Sequence, residues 1–283
     1  MEIKSLDNTS HDKLFQAFEQ AFTDYELQLN KAELLTMLKR RGFNPTLSFA
    51  AFDGDKIVSF TCNGIGDFNG TRMAYDTGTG TLKDYRGQGL ATQIFEYSIP
   101  HLKEAGIKEY LLEVLQHNTG AVSVYSKLGF EVTREFYYFK TEPERINKEV
   151  KTPDFPYTLG VININEYDSI PGFWDFNPSW QNSIESINRA PEDFICLGVF
   201  TEGRLVGYGV FDPTSGDVTQ IAVDKPYRRK GIGSLLLQKM IEANKYTSIK
   251  IVNTDIACDS ITVFLKAKNI EPTGKQFEMI KKL

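Results

Sequence analysis

The chain has 283 residues, 41% of them hydrophobic and 24% charged, enough for two ordinary domains that each bury a core and not the composition of a disordered chain. Its net charge of -5 removes the strongest electrostatic reason to expect nucleic acid and mildly favours a cationic substrate. Three cysteines, Cys62, Cys196 and Cys258, lie far apart without C-x-x-C spacing, so neither a disulfide framework nor a metal site is expected. The polar start at Met1-Glu2-Ile3-Lys4 lacks an apolar run that could serve as a signal peptide or membrane span, and a cytoplasmic protein is expected.

Met1 to Ser5 reads as a short strand. Leu14, Phe15, Phe18 and Phe22 then recur at helical spacing behind the cap Ser10. Asn30 with Glu33 forms a capping pair for a second helix carrying Leu34, Leu35 and Leu38, which stops at Gly42. Leu47 to Phe52, Lys56 to Asn63 and Thr71 to Leu82, separated by turns at Asp53-Gly54-Asp55 and Asp67 to Gly70, read as an antiparallel meander. After Gly87 the period becomes helical through Leu90, Ile94, Phe95 and Leu102, with Pro100 expected to kink or end the helix. A strand at Tyr110 to Leu115, a short helix at Thr119 to Lys127 and an aromatic strand at Phe130 to Phe139 follow.

From about Tyr157 the same order returns, in Phe194 to Phe200, Leu205 to Phe211, Val218 to Val223, a helix after Gly231, and Ile249 to Val252. Repetition at this length means duplication. The expected division is a first domain at 1–140, a charged linker with Pro143 and Pro153 at 141–156, and a second domain at 157–283. Tyr167 to Trp180 holds both tryptophans in loop-like surroundings, expected to cap a core rather than to wall a substrate site.

Two turns carry the chemistry. Arg86-Gly87-Gln88-Gly89-Leu90-Ala91 and Arg228-Arg229-Lys230-Gly231-Ile232-Gly233 each follow a strand, open a helix and fit R-x-x-G-x-(G/A). Their glycines let backbone N-H groups and a positive helix end surround a pyrophosphate, and the flanking arginines and lysine are expected to add mobile charge. An antiparallel meander precedes the first turn, which excludes the dinucleotide arrangement, and no G-x-x-x-x-G-K-(S/T) occurs. Coenzyme A remains, with its pyrophosphate in the turn and its pantetheine arm hydrogen-bonded to a strand.

On these residues, Asp76 to Phe130 and Gln220 to Phe264 resemble the cofactor-binding core of the GNAT superfamily of N-acetyltransferases. The resemblance implies an α/β (α+β) fold of two GNAT-like domains, each a twisted mixed, largely antiparallel sheet flanked by helices. It implies that acetyl-CoA lies along Thr79, Gly80, Thr81 and Leu82, with its pyrophosphate at Arg86 to Ala91 and Asn118 nearby. Ile221, Ala222 and Val223 with Arg228 to Gly233 are the corresponding cofactor-binding residues of the second half.

Leu112 to Asn118, Ala121 to Tyr125 and Leu128-Gly129-Phe130 give the second GNAT signature nearly complete. An alkylammonium with a pKa of about 10 must lose a proton before attack, and a thiolate with a pKa of about 8.5 must leave. Tyr125 is the candidate acid and Glu113 the candidate base, a spacing similar to that of ribosomal-protein alanine N-acetyltransferases. Asp76 is the alternative base, a solvated His117 is set aside, and a backbone N-H near Gly80 or Thr81 is the expected oxyanion donor. Cys62 reads as core. In the second half Ala257 is aligned with the signature asparagine, Phe264 with the tyrosine and Asn269 with Gly129, so that half keeps the turn and loses the acid.

The implied activity is transfer of acetyl from acetyl-CoA to a primary amine, either a small cationic amine or a peptide N-terminus, by direct attack in a ternary complex. The rival is a non-enzymatic acyl-CoA sensor or interaction protein, and a longer acyl donor is a third reading. Phe22 to Gly42 and the loop near Trp174 are where acceptor selection is expected, and the duplication suits a monomer.

Overall fold

The computed structural model describes residues 1–24 and 28–283. The acceptor region expected at Phe22 to Gly42 therefore has residues 25–27 outside the described residues. The chain divides into two compact units, one of Met1–Thr133, Glu185–Ala190 and Phe277–Leu283, the other of Arg134–Ile184 and Pro191–Gln276.

In the first unit, β1 (Glu2–Ser5) precedes α1 (His11–Ala21), whose first turn is held by the Ser10 side chain accepting from the Lys13 N-H. The spacing of Leu14, Ala17, Phe18 and Ala21 buries one stripe of α1 against Phe60 and Cys62. Helix α2 (Lys31–Arg40) opens with a reciprocal capping box between Asn30 and Glu33 and buries Leu34 and Leu38. Strands β2 (Phe49–Asp53), β3 (Lys56–Phe68) and β4 (Thr71–Thr81) form the antiparallel meander, followed by α3 (Leu90–Glu104), β5 (Glu109–Leu115) and α4 (Thr119–Lys127). Pro100 neither ends nor is needed to end α3, which runs on to Glu104. Its missing N-H falls on the exposed side of the helix, where water can satisfy the carbonyl of the exposed Glu96.

The second unit contains most of β6 (Glu131–Thr141), then β7 (Thr158–Val161), α5 (Ile184–Arg189) begins at its edge in sequence, and β8 (Ile195–Thr201), β9 (Arg204–Asp212), β10 (Asp217–Val223), α6 (Ile232–Ala243), β11 (Ile249–Asp255), α7 (Asp259–Ala267) and the start of β12 (Pro272–Lys282) follow. Strand order is β1-β2-β3-β4-β5-β12 in the first unit and β6-β11-β10-β9-β8-β7 in the second. Chain order and unit membership thus part at the last strands. Phe277 and Met279 of β12, with Leu283 just past its end, pack with Phe95, Tyr110 and Phe130 in a core of the first unit. Phe139 of β6 packs with Phe211, Leu236, Met240 and Ile251 in the core of the second. The first unit also takes Glu185–Ala190, where Ser186 Oγ (3.0 Å) and Arg189 Nε (2.8 Å) donate to the Arg40 carbonyl at the end of α2.

Among the described residues, no helix is long and apolar enough to cross a membrane.

Candidate active site

The site of the first unit begins where two strands part. β4 and β5 run parallel with Met73 opposite Glu109 and Tyr75 opposite Leu111, after which β4 continues to Thr81 and β5 to Leu115 without further paired residues. The cause lies on the other side of β4. Its register against β3 steps from Asp76 opposite Asn63 to Gly78 opposite Cys62, leaving Thr77 as an extra residue that bends the strand. Past the split, Asp76 to Thr81 keep β3 as their partner and have none in β5, and the Thr77 and Thr81 carbonyls accept from Arg41 (3.0 Å) and Arg86 (3.2 Å).

Asp76 is the first residue past the split, and three donors converge on it. Its Oδ1 accepts from the Gly78 N-H (2.9 Å), and its Oδ2 from Thr79 Oγ1 (2.9 Å) and the Tyr125 hydroxyl (3.2 Å). Burial pushes the Asp76 carboxyl up to about 6, with the hydrogen bonds from Thr79, Gly78 and Tyr125 and the Arg41 charge pulling the other way. Tyr125, on α4, stands edge-on to Phe95 and Phe130, with ring centroids 5.7 and 5.8 Å away. Glu113, half-buried on β5, accepts through Oε2 from the Tyr75 hydroxyl at 2.8 Å. Burial, with the Glu113 carboxylate beside it, holds the Tyr75 phenol well above its ordinary range, so Tyr75 stays a donor. The expected acid is thus hydrogen-bonded to Asp76, while Glu113 is engaged by Tyr75.

A carboxyl with a raised pKa has a definite stability signature. Its folded-state value lies above the unfolded one, so the folded protein is favoured while the group is protonated and loses that contribution as pH rises through about 6. Asp76→Asn is expected to hold or raise Tm at pH 7–8 relative to wild type, with the difference shrinking toward pH 4. Thermal unfolding across that range measures it, and a Tm advantage for the wild type at neutral pH would contradict the sign.

The first phosphate turn places Gly87 and Gly89 at φ of 78° and 73°, with Gly89 capping α3. A Cβ at Gly87 would meet nothing within 4 Å, so that side of the turn is open. The first N-H groups of α3, those of Leu90, Ala91 and Thr92, have no intrahelical acceptor, and the first bonded one is Gln93, to the Gly89 carbonyl at 3.0 Å. Gln88 donates through Nε2 to the Asp84 carbonyl at 3.4 Å. The arginine corrects an expectation, because its charge is not mobile. Arg86 donates to the carbonyls of Thr81 (3.2 Å) and Ala21 (2.9 Å) and pairs with Asp24 at 3.2 Å, tying the end of β4 to the end of α1. Arg228 repeats this with the carbonyls of Val223 (3.0 Å) and Phe173 (3.0 Å) and the Asp175 carboxylate (2.8 Å). Asn118 caps α4, its side chain accepting from the Ala121 N-H at 3.2 Å. Thr79 faces Asp76, whereas Cys62 is buried in the core and burial lifts its thiol well above the usual range, which removes it as a nucleophile. His117 is exposed.

The second unit holds a cleft of about 810 Å³ lined by Ile221, Ala222, Val223, Arg228, Arg229, Gly231, Ile232 and Gly233, which are sequence-expected positions, and by Phe173, Trp174 and Phe176. Lys230 instead lies over the rings of Tyr227 and Phe155, at 5.2 and 5.7 Å. Segment 141–156 reaches this turn: a Cβ at Gly231 would come within 1.8 Å of the Lys151 carbonyl oxygen. Trp180 is buried, as a core cap should be. Trp174 walls the cleft and donates to the Tyr208 hydroxyl (2.6 Å), which donates to Gln220 (2.5 Å).

The helix caps correct the alignment of the two halves. α4 and α7 have matching lengths, with N-caps Asn118 and Cys258 and left-handed residues Gly129 and Asn269 after their ends. Tyr125 therefore corresponds to Leu265 rather than Phe264, and Asn118 to Cys258 rather than Ala257. By the same matching Glu113 corresponds to Asn253, and the bulged registers of β4 and β10 set Asp76 against Val218. All three titratable positions are lost, and Leu265 and Val218 are buried in the core.

A model of the acetyltransferase (GNAT) family matches residues 11–130 and 161–255. The chain belongs to the GNAT acetyltransferase family. The fold of this GNAT protein is similar over 99% of its length to a tandem GNAT protein from the clavulanic acid biosynthesis pathway, at a TM-score of 0.74 and 13% identity, covering 98% of that chain. Among curated relatives, an N-alpha-acetyltransferase of Arabidopsis thaliana is 33% identical over 95 residues, 34% of this chain and 50% of that protein. A mycothiol acetyltransferase of Geodermatophilus obscurus is 28% identical over 113 residues, 39% of this chain and 34% of that one. The GNAT chain spans between 50% and 64% of the first three such relatives. Family members typically use acetyl-CoA and acetylate amine acceptors.

Proposed function

We propose that the protein is an acetyl-CoA-dependent N-acetyltransferase acting on a primary amine by direct attack, with its chemistry in the first unit. The observation that supports this most is the meeting of Tyr125 with Asp76 at the point where β4 and β5 part, on the strand that leads to the turn Arg86 to Ala91. The pantetheine arm runs along Thr79 to Leu82, the pyrophosphate sits on the N-H groups at the head of α3, and a backbone N-H near Gly80 or Thr81 meets the oxyanion. Tyr125 serves the departing thiolate as acid. Glu113 is the base on the acceptor side, its carboxylate oriented by Tyr75. A cationic small amine or a peptide N-terminus fits this acidic pair. The monomer is the working form in this reading, and the division of labour between the two halves follows 1–140, the linker and 157–283.

A second reading attaches to the second unit alone. Its cleft keeps the turn, but where the first unit has Asp76, Glu113 and Tyr125 the second has Val218 and Asn253 on the cleft wall and Leu265 buried in the core, so it binds an acyl-CoA without transferring the acyl group.

The test is thiol release from acetyl-CoA with a panel of small amines and short peptides bearing free N-termini. Amine-dependent release by the wild-type chain is expected. Acetyl-CoA binding with no release from any acceptor would leave the sensor reading in its place.

A further inference from the structure

We infer that Asp76 and Tyr125 work as one proton relay, in which Asp76 takes the proton leaving the attacking nitrogen and passes it to Tyr125 as Tyr125 protonates the departing sulfur. The inference rests on the N-acetyltransferase reading above and goes beyond it, since that reading gives the acid and the base to separate groups.

The geometry poses the problem the relay solves. A phenol has a single proton, and the Tyr125 hydroxyl spends it on Asp76 Oδ2 at 3.2 Å. An acid that gives this proton to sulfur is left as a phenolate facing a carboxylate, an arrangement stable only if the carboxylate has already become an acid. Asp76 is built to make that change. It is half-buried at the first residue of β4 past its pairing with β5, and its ionised form is held by the Gly78 N-H and Thr79 hydroxyl. Its carboxyl, lifted to about 6 by burial, is poised to gain and lose a proton near neutrality. An undisturbed aspartate would be too weak a base to do so.

The charged and titratable groups facing Asp76 come from every neighbouring element. Arg41, following α2, donates to the Thr77 carbonyl at 3.0 Å and draws the Asp76 pKa down. Tyr110 on β5 and Cys62 on β3 are both buried, and each is held in its neutral form by burial with the Asp76 charge adding to the effect. Tyr110 is bonded to Asn63, and Tyr75 to Glu113. These leave Tyr125 as the neighbour whose proton is set between Asp76 and the reacting atoms.

The step balances. The amine nitrogen, having lost its first proton to solvent through Glu113, attacks the thioester carbonyl and forms the C-N bond. As the C-S bond breaks, the second N-H proton goes to Asp76, the Asp76 proton to the Tyr125 oxygen, and the Tyr125 proton to sulfur. The products are the amide and free thiol, and both side chains end in their starting states.

The experiment uses the full-length protein with an acceptor that supports thiol release, and compares wild type, Asp76→Asn, Asp76→Glu, Tyr125→Phe and the Asp76→Asn/Tyr125→Phe double variant. Asp76→Asn is expected to lower kcat by about 100-fold or more while acetyl-CoA Kd stays within about threefold, and Asp76→Glu to restore about tenfold of that loss. Wild-type kcat should fall as pH drops through about 6, because protonated Asp76 cannot accept, and this limb should be absent from Asp76→Asn. The double variant should be no slower than the slower single, since either change breaks the same chain. Multiplying losses, a surviving acid limb in Asp76→Asn, or its kcat within about fivefold of wild type would each overturn the relay. Wild-type protein that releases no thiol with any amine would overturn the underlying reading, and the relay with it.

Discussion

Tyr125→Phe is expected to lower kcat by about 10²- to 10⁴-fold and to leave the KM for acetyl-CoA nearly unchanged. The substitution removes one hydroxyl and keeps the ring, which packs edge-on against Phe95 and Phe130, so the local core survives. What disappears is the hydrogen bond to Asp76 and, in the proposed mechanism, the proton donor to sulfur. A thiolate expelled without a proton is a poor leaving group at neutral pH, because its pKa of about 8.5 favours recapture of the acyl carbon over departure. The effect belongs to the transition state, so it should appear in kcat and in kcat/KM alike. Steady-state kinetics with varied acetyl-CoA measures it. A loss seen in KM alone would move Tyr125 from chemistry to cofactor binding.

Gly80→Val should be the largest perturbation of the cofactor edge, costing the first unit about 1–3 kcal/mol and raising acetyl-CoA KM together with it. A Cβ at Gly80 would stand 2.7 Å from Cζ of Phe60 and 2.9 Å from Cβ of Ala21. Phe60 is fully buried, and the Ala21 Cβ cannot rotate away because it is fixed to the α1 backbone. The strain therefore has to be relieved by moving α1 off β4. That same end of α1 supplies the Ala21 carbonyl that Arg86 bonds at 2.9 Å, so the displacement reaches the phosphate turn. Ala222→Val in the second unit is the comparison, since β10 already carries a Cβ at that position. Thermal unfolding and acetyl-CoA titration of the two variants check this, and equal Tm values for Gly80→Val and wild type would show that α1 yields freely.

The paired turns, the duplication and the tyrosine were readable along the chain because each is local. A glycine pattern, a helical period and a capping pair are decided by neighbours within a few residues, as Asn30 with Glu33 and Gly89 ahead of α3 show. Whether Pro100 would end α3 was not readable in this way, since only the side of the helix it occupies tells whether its missing N-H matters. Asp76 was legible as an acidic residue in mid-strand and as the alternative base, but not as the partner of Tyr125. Its importance comes from a one-residue bulge that ends the pairing of β4 with β5 beside it, and from a helix that brings Tyr125 to it across 49 positions of sequence.

The alignment of the halves shows the limit most clearly. Matching residues by type set Phe264 against Tyr125, whereas the N-cap and the left-handed residue of each helix set Leu265 there. One residue is a turn of about 100° on a helix, which separates a buried core position from one facing a cleft. Membership of the last strands is similar, because Phe277–Leu283 and Arg134–Thr141 are each apolar enough to complete any sheet, and only the available edge and core decide which. The sequence by itself determined the family, the repeat and the residue types proposed for acetyl transfer, since these rest on local pattern and composition. Tertiary structure decided the proton partner of Tyr125, the structural use of Arg86 and Arg228, and the loss of every titratable site position in the second unit, since each depends on where distant backbone segments meet.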